Sequence, residues 1–224
     1  MNNQIFDQSS NEYDEWLTTH LGNHIHTLEL ETLFKSITIN PGQTFLEIGV
    51  GTGNIAKELL NAGAHVTGID VSKNMLDVAK QKFKHNEIEL HHMNADKLLF
   101  SDSNFDSTIA FTSLEFMDDL IATIQEMKRV TKKDGQIIVG FLNQGSRWVN
   151  MYESEAMKGS VYDYATFYTK DELEKDFSLP ITSYQETLFT PPGLLDDCYT
   201  TESNTFYQHQ NERGGFAVIV FINK

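Results

Sequence analysis

Cysteine is almost missing from this chain. Cys198 stands alone in 224 residues, which excludes an intrachain disulfide and a cysteine-based metal cluster. Long apolar runs are missing as well: no stretch of about eighteen such residues occurs, so no membrane span is expected. The opening Met1-Asn2-Asn3-Gln4 offers neither a basic nor an apolar leader, and the expected setting is cytoplasmic. Basic residues are scarce. Seventeen Lys and Arg face 32 Asp and Glu, the net charge is −15, and the acids run through every segment. A phosphate backbone is repelled on average by such a surface, so nucleic acid is a disfavoured partner and a small molecule a favoured one. Histidine spacing lacks a metal signature: His20 and His24 stand at i and i+4, but Leu21 occupies the glutamate position of H-E-x-x-H. No metal site, internal repeat or low-complexity segment is expected.

What is present is concentrated in Phe45-Leu46-Glu47-Ile48-Gly49-Val50-Gly51-Thr52-Gly53. A short apolar run is followed by three glycines at alternate positions, and then by Asn54 to Leu60, whose Ile55, Ala56, Leu59 and Leu60 share one helical face. That is a strand, a tight turn and a helix. Glycine suits a backbone that bends sharply and lets a ligand approach without a Cβ in the way, and the helix points free N–H groups at whatever sits on the turn. His65-Val66-Thr67-Gly68-Ile69-Asp70 reads as a second buried strand ending in a carboxylate, 19 residues beyond Gly51. In a doubly wound sheet two such strand ends flank one crevice, where an acid accepts both hydroxyls of a ribose. An adenosine ligand follows. A dinucleotide fingerprint G-x-G-x-x-G beginning at Gly49 requires glycine at position 54, and this chain has Asn54.

The arrangement Glu47-x-Gly49-x-Gly51-x-Gly53 instead resembles the first motif of the class I S-adenosylmethionine-dependent methyltransferases, and Asp70-x-Ser72-x-x-Met75-Leu76 resembles their second. The resemblance covers residues 41–142 well and the flanks loosely. It implies an α/β fold: a doubly wound, mostly parallel seven-stranded sheet with an antiparallel C-terminal edge pair and a helical N-terminal cap. It also implies methyl transfer from S-adenosylmethionine to a small-molecule acceptor, leaving S-adenosylhomocysteine. The residues it sets around the donor are Glu47, Gly49, Gly51, Gly53, Asp70, Val71, Met75, Asn94, Ala95, Asp96 and Thr112. Among them Glu47 helps to accept from the ammonium of the methionine part, and Met75 packs on adenine and ribose. Asn94 stands where aspartate is usual, so either Asn94 or Asp96 accepts from the adenine amine while a backbone N–H follows at Ala95. Two residues are candidates for the chemistry. Tyr13, in Tyr13-Asp14-Glu15-Trp16, resembles the tyrosine of a helix that covers the site. Glu115 stands in the loop Thr112 to Met117, which faces the methyl and carries paired histidines in many relatives. For Tyr13 and Trp16 the plainer alternative is core packing, and for Glu115 a surface carboxylate near a helix start.

The chain reads as one domain, 1–224. Residues 1–40 form a cap of two helices, Asn11 to Thr19 and Ile25 to Ile37, the second with Leu30, Leu33, Phe34 and Ile37 aligned. Residues 41–142 form the core, with strands near Ile88 to Met93, Phe105 to Phe111 and Gln136 to Leu142, and a helix opened by Asp118-Asp119 and closed by Lys128 to Lys133. Residues 143–168 are rich in aromatics, Trp148, Tyr152 and Tyr162 among them, and such an insertion forms a lid in these enzymes. Its alternative is an ordinary surface segment. Arg147 there offers a charge for an acidic acceptor. In 169–224, Thr169 to Leu173 opens a capped helix, and Ile181 to Phe189 and Gly215 to Phe221 are the last strands. A monomer or a homodimer suits this plan. Two further readings stay open: a donor-binding protein without catalysis, and a nicotinamide-dependent oxidoreductase, which also wants Asp70.

Overall fold

A computed structural model describes residues 13–83 and 87–224. Positions 11 and 12, expected to begin the first helix, lie outside the described residues. In chain order the elements are α1 (13–17), α2 (His20–Ser36), β1 (Thr44–Ile48), α3 (Asn54–Asn61), β2 (His65–Asp70), α4 (Lys73–Lys82), β3 (Glu89–His92) and β4 (Phe105–Phe111). There follow α5 (Leu120–Val130), β5 (Thr131–Leu142), α6 (Arg147–Tyr152), α7 (Lys170–Phe177), β6 (Ile181–Thr187), α8 (Thr201–His209) and β7 (Phe216–Ile222).

The seven strands form one sheet in the order β3-β2-β1-β4-β5-β7-β6. The first five are parallel to one another, and β7 runs antiparallel to both β5 and β6. The chain therefore winds outward from β1 in one direction, then restarts at β4 on its other side. The ends of β1 and β4 part there, and a crevice opens at the carboxyl edge of the sheet.

Both faces of the sheet are buried, which explains why its central strands carry apolar side chains almost without interruption. Along β7, Phe216, Val218 and Val220 enter one core while Ala217, Ile219 and Phe221 enter the other. The first core is closed by α2, α3 and α4 through residues such as Leu28, Leu33, Leu59 and Leu76. The second is closed by α5 and α7 through Ile124, Met127, Leu173 and Phe177. Capping fixes where helices begin. Ser72 accepts from the Met75 N–H and Asp119 from Ala122, while Thr169 and Glu172 form the reciprocal box expected from their spacing.

Several boundaries differ from expectation. Helix α2 starts at His20, five residues earlier than its apolar pattern begins, because Thr19 caps it by accepting from the Gly22 N–H at 3.0 Å. Phe34, expected on its buried stripe, is exposed, and the inward positions are Gly22, Ile25, Leu28, Glu29, Thr32 and Leu33. Helix α5 stops at Val130, so Lys132 and Lys133 belong to β5, which passes a positive-φ bend at Asp134 before the expected strand. Strand β3 covers only Glu89–His92, and β6 ends at Thr187. Helix α8 was not foreseen. Its one buried residue is Asn204, whose side-chain oxygen accepts from the Phe189 N–H at 2.6 Å, so no apolar stripe marks it.

Phe177 of α7 lies fully buried with its ring stacked on Phe221 of β7 at 4.4 Å between centroids. Phe177→Ala is expected to lower unfolding free energy by about 3–5 kcal/mol. Urea denaturation measures it, and a loss well under about 1 kcal/mol contradicts this packing.

Candidate active site

The crevice is a cavity of about 400 Å³. Its base is built by the ends of β1, β2 and β4. Gly49, Gly51 and Gly53 all have positive φ, at 71°, 52° and 83°. Two of them are held by their own neighbours: a Cβ at Gly49 would lie 2.6 Å from the Ser113 Cβ, and one at Gly53 would lie 2.6 Å from the Phe83 ring. At Gly51 a Cβ would meet nothing within 4 Å, because the missing side chain faces the cavity. Gly51 is thus kept bare toward the space rather than toward the protein.

The carboxylate of Asp70 ties β2 to this turn. One oxygen accepts from the Gly51 N–H at 2.8 Å and the other from the Ser72 N–H at 2.8 Å. Burial raises its pKa, and the N–H groups of Ser72, Gly51 and Val71 oppose that rise. Each oxygen retains a lone pair, and Asp70 lines the cavity. Glu47, on β1, also lines it. Burial holds its pKa well above the ordinary carboxylate range, the charge of Asp70 adds to this, and one of its oxygens has no partner among the described residues. Val71, Met75, Met93 and Ala95 supply an apolar wall beside Asp70.

From the segment that follows β4 come Thr112, Ser113, Phe116 and Met117. Thr112 is β-branched yet has φ 46°, a costly conformation that its N–H bond to the Gly140 carbonyl at 2.7 Å helps to hold. Ser113 then donates to the Ile48 carbonyl at 2.8 Å and packs on Gly49, so the parting strands stay in register at the site.

Helix α1 covers the opening. Asp14 accepts from Thr52 at 2.8 Å and Asn54 at 3.1 Å and pairs with Lys82 at 2.7 Å, which fastens α1 to the glycine turn and to α4. Burial alone raises the Asp14 pKa, but the Lys82, Thr52 and Asn54 bonds prevail and lower it. Asn54, the residue that departs from a dinucleotide fingerprint, is committed to this latch. Tyr13 and Trp16 consequently line the cavity, their ring centroids 6.3 Å apart. Tyr13 is 40% exposed, and desolvation around its hydroxyl, followed by the field of Glu29, raises its pKa.

Of the expected residues, the structure brings Tyr13, Glu47, Gly49, Gly51, Asp70, Val71, Met75, Ala95 and Thr112 onto one cavity. Gly53 supports the turn from outside it. Asn94 is exposed and donates to Asp96 at 3.2 Å, and neither side chain lines the space. Glu115 is not at the surface: it is 1% exposed, with one oxygen accepting from the Leu142 N–H at 2.7 Å and the other unpartnered among the described residues. Its backbone carbonyl accepts from the Thr166 N–H at 2.7 Å, so it braces the 143–168 segment. From that segment Tyr152, Val161 and Tyr162 reach the cavity, with Tyr152 and Tyr162 stacked at 4.0 Å. Trp148 instead enters the core and donates to the Thr190 carbonyl at 2.8 Å. Arg147 points elsewhere and pairs with Glu212 at 2.6 Å.

Among the lining residues not expected from the sequence is one acid. Glu29 of α2 is 9% exposed and faces the cavity, and burial, followed by the charge of Glu115, pushes its pKa up to about 8. A carboxylate in the middle of the Ile25, Leu28, Thr32, Leu33 stripe is the signal that marks it, since an acid is uncommon on a buried helix face.

Comparison with known proteins adds the following. The family model described as a methyltransferase domain matches residues 46–139. An uncharacterised protein of Methanocaldococcus jannaschii is 34% identical over 169 residues, covering 75% of this chain and 76% of that one. Demethylmenaquinone methyltransferase of Staphylococcus haemolyticus is 35% identical over 138 residues, 60% of this chain and 57% of its own length. A crystal structure from Thermotoga maritima, described as a SAM-dependent methyltransferase and possible histamine N-methyltransferase, superposes with a TM-score of 0.76 at 26% identity, covering 99% of each chain. In fold alone the chain also resembles Haemonchus contortus phosphoethanolamine N-methyltransferase 2 in complex with S-adenosyl-L-methionine, with a TM-score of 0.69, 17% identity, and coverage of 97% of this chain and 57% of that one.

Glu115 sets a pH dependence. Burial raises its pKa to about 7 against an ordinary 4.5, although the Leu142 N–H opposes the rise. The folded state therefore holds this proton more tightly than the unfolded one, and the resulting stability is full below about 4.5 and lost as pH climbs through about 7. Glu115→Gln is expected to flatten the decline of Tm across that window. An unchanged slope contradicts the burial of this carboxyl.

Proposed function

This chain belongs to the class I S-adenosylmethionine-dependent methyltransferases, and from that premise we propose that it methylates a small molecule held in the cavity between the glycine turn and the 143–168 segment. The cavity suits the donor on three counts. Gly51 leaves bare backbone where a ribose would approach, Asp70 keeps free acceptor capacity beside it, and Glu47 carries an orphaned oxygen. In this reading Asp70 accepts from the ribose hydroxyls, Glu47 accepts from the ammonium of the methionine part, and Met75 and Ala95 flank the adenine. Asn94 and Asp96 stand at the rim of that end, and Gly49, Gly53, Val71 and Thr112 shape the backbone around it.

The donor, when bound, supplies a methyl group made electrophilic by its sulfonium. The protein's share of the work is then to align an acceptor and to exclude water. Tyr13 and Trp16 close one side, the 143–168 segment acts as a lid on another, and the latch at Asp14 holds α1 down over both. Glu115 acts from behind the wall by positioning Leu142 and the lid rather than by touching the acceptor. No described cluster of nucleophile and base is needed, because the leaving group is already activated. Histamine and demethylmenaquinone, the acceptors in the relatives' names, are both small molecules, which supports the acceptor class.

The observation that carries this reading is the Asp70 bond to the Gly51 N–H at the wall of the cavity. Calorimetric titration with S-adenosylhomocysteine tests it. Saturable binding is expected, weakened by Asp70→Ala about tenfold or more, since each charge-assisted bond contributes roughly 1.5–3 kcal/mol. Gly51→Ala is expected to cost only about 1–2 kcal/mol of stability through its positive φ, yet to impair donor binding severely, because its Cβ enters the cavity. A flat wild-type titration, or full affinity in Asp70→Ala, overturns the proposal.

A further inference from the structure

We infer that the methyl acceptor is a small amine, its nitrogen anchored on the Glu29 carboxylate at the aromatic end of the cavity. The inference rests on the methyl-transfer reading above and adds the substrate class. Glu29 is more than nine-tenths buried and lines the cavity, onto which its carboxylate oxygens open without a hydrogen-bond partner among the described residues. Burial raises the cost of ionising such an acid, and a cation bound beside it offsets that cost.

Position separates Glu29 from the donor. The charge of Asp70 acts on Glu47 beside the glycine turn. The groups that feel Glu29 are Tyr13, Tyr152 and Tyr162, and the charge that Glu29 itself feels is that of Glu115. Tyr13 lies between the two ends, since both Glu29 and Glu47 act on it. Glu29 therefore belongs to the end walled by α1 and the 143–168 segment.

The chemistry of that end selects a cation. No described residue lining the cavity is Lys, Arg or His, whereas Glu29, Glu47 and Asp70 all line it. An anionic acceptor meets only like charge there, and Arg147, which could have offset it, is bound to Glu212. An alcohol or a quinol brings no counter-charge, so beside it Glu29 keeps its raised pKa and its proton. An ammonium supplies both the charge and the hydrogen-bond donors, and the faces of Tyr13, Trp16 and the stacked Tyr152–Tyr162 pair attract it further. Transfer balances with the groups at hand. The bound ammonium first gives one proton to the Glu29 carboxylate; the lone pair so freed forms the bond to the methyl carbon, the carbon–sulfur pair stays on sulfur, and the product leaves as the methylated ammonium. Burial makes Glu29 a stronger proton acceptor than an ordinary carboxylate, with its pKa raised to about 8.

The test is binding to protein saturated with S-adenosylhomocysteine, measured by calorimetry with butylamine, ethanolamine and 2-phenylethylamine, each beside its alcohol and carboxylate counterparts. At least one amine is expected to bind about tenfold or more tightly than its counterparts, and Glu29→Gln is expected to erase that preference. S-adenosylhomocysteine affinity in Glu29→Gln should stay within about twofold of wild type, and its Tm at neutral pH should equal or exceed wild type because the amide needs no proton uptake on folding. Amines that bind no better than their alcohols overturn the inference while leaving the donor reading intact. So does loss of S-adenosylhomocysteine affinity in Glu29→Gln, which assigns this carboxylate to the donor's ammonium. A flat wild-type donor titration sinks both readings together.

Discussion

One carboxylate holds the site in shape. Asp70 ends β2 and reaches across to the turn after β1, where its two oxygens take the N–H groups of Gly51 and Ser72. These are the backbone groups that the turn and the start of α4 leave without partners of their own. With them satisfied, the Gly49 to Gly53 bend keeps its left-handed conformation, Ser72 is set to cap α4, and Met75 is carried onto the cavity wall. The same contact sets the electrostatics, since burial raises the Asp70 pKa while three N–H groups hold the rise back. One side chain thus organises the loop and still offers lone pairs to the cavity.

Around this point the molecule accepts local costs. Thr112 sits at positive φ, and Glu29, Glu47 and Glu115 are buried carboxyls whose pKa values lie above the ordinary range. All of these features lie within or directly behind one cavity. Strain and unpaired polarity gathered at the switch point of the sheet are what a binding site imposes on an otherwise regular α/β frame. The rest of the chain is conservative by contrast. The two cores close on either face of the sheet with aliphatic and aromatic side chains, and the helices begin at ordinary caps.

Most of that frame is legible in the sequence because local chemistry and global position agree. The alternate glycines, Asp70 at the end of a β-rich run, the Thr169–Glu172 box and the unbroken Phe216 to Ile222 strand each announce an element and its place. The parts that were not legible are those where a polar side chain does the work of an apolar one. Glu29 and Thr32 occupy a buried helix stripe that apolar periodicity alone cannot detect, and Asn204 anchors α8 by accepting N–H bonds rather than by packing. Contacts between distant residues were hidden as well. The Asp14 latch joins positions 38 and 68 residues apart, and the burial of Glu115 depends on β5 and the Thr166 backbone folding over it. For the candidate site, backbone positions were therefore easier to read than the acids that give it its chemistry.

The measurement that bears most directly on this account is a crystal structure of the protein with S-adenosylhomocysteine. The account predicts ribose hydroxyls on the Asp70 carboxylate, backbone contact at Gly51, and the Gly51–Asp70 bond retained. A ligand bound elsewhere, or an Asp70 that holds the turn without touching the ribose, would contradict it.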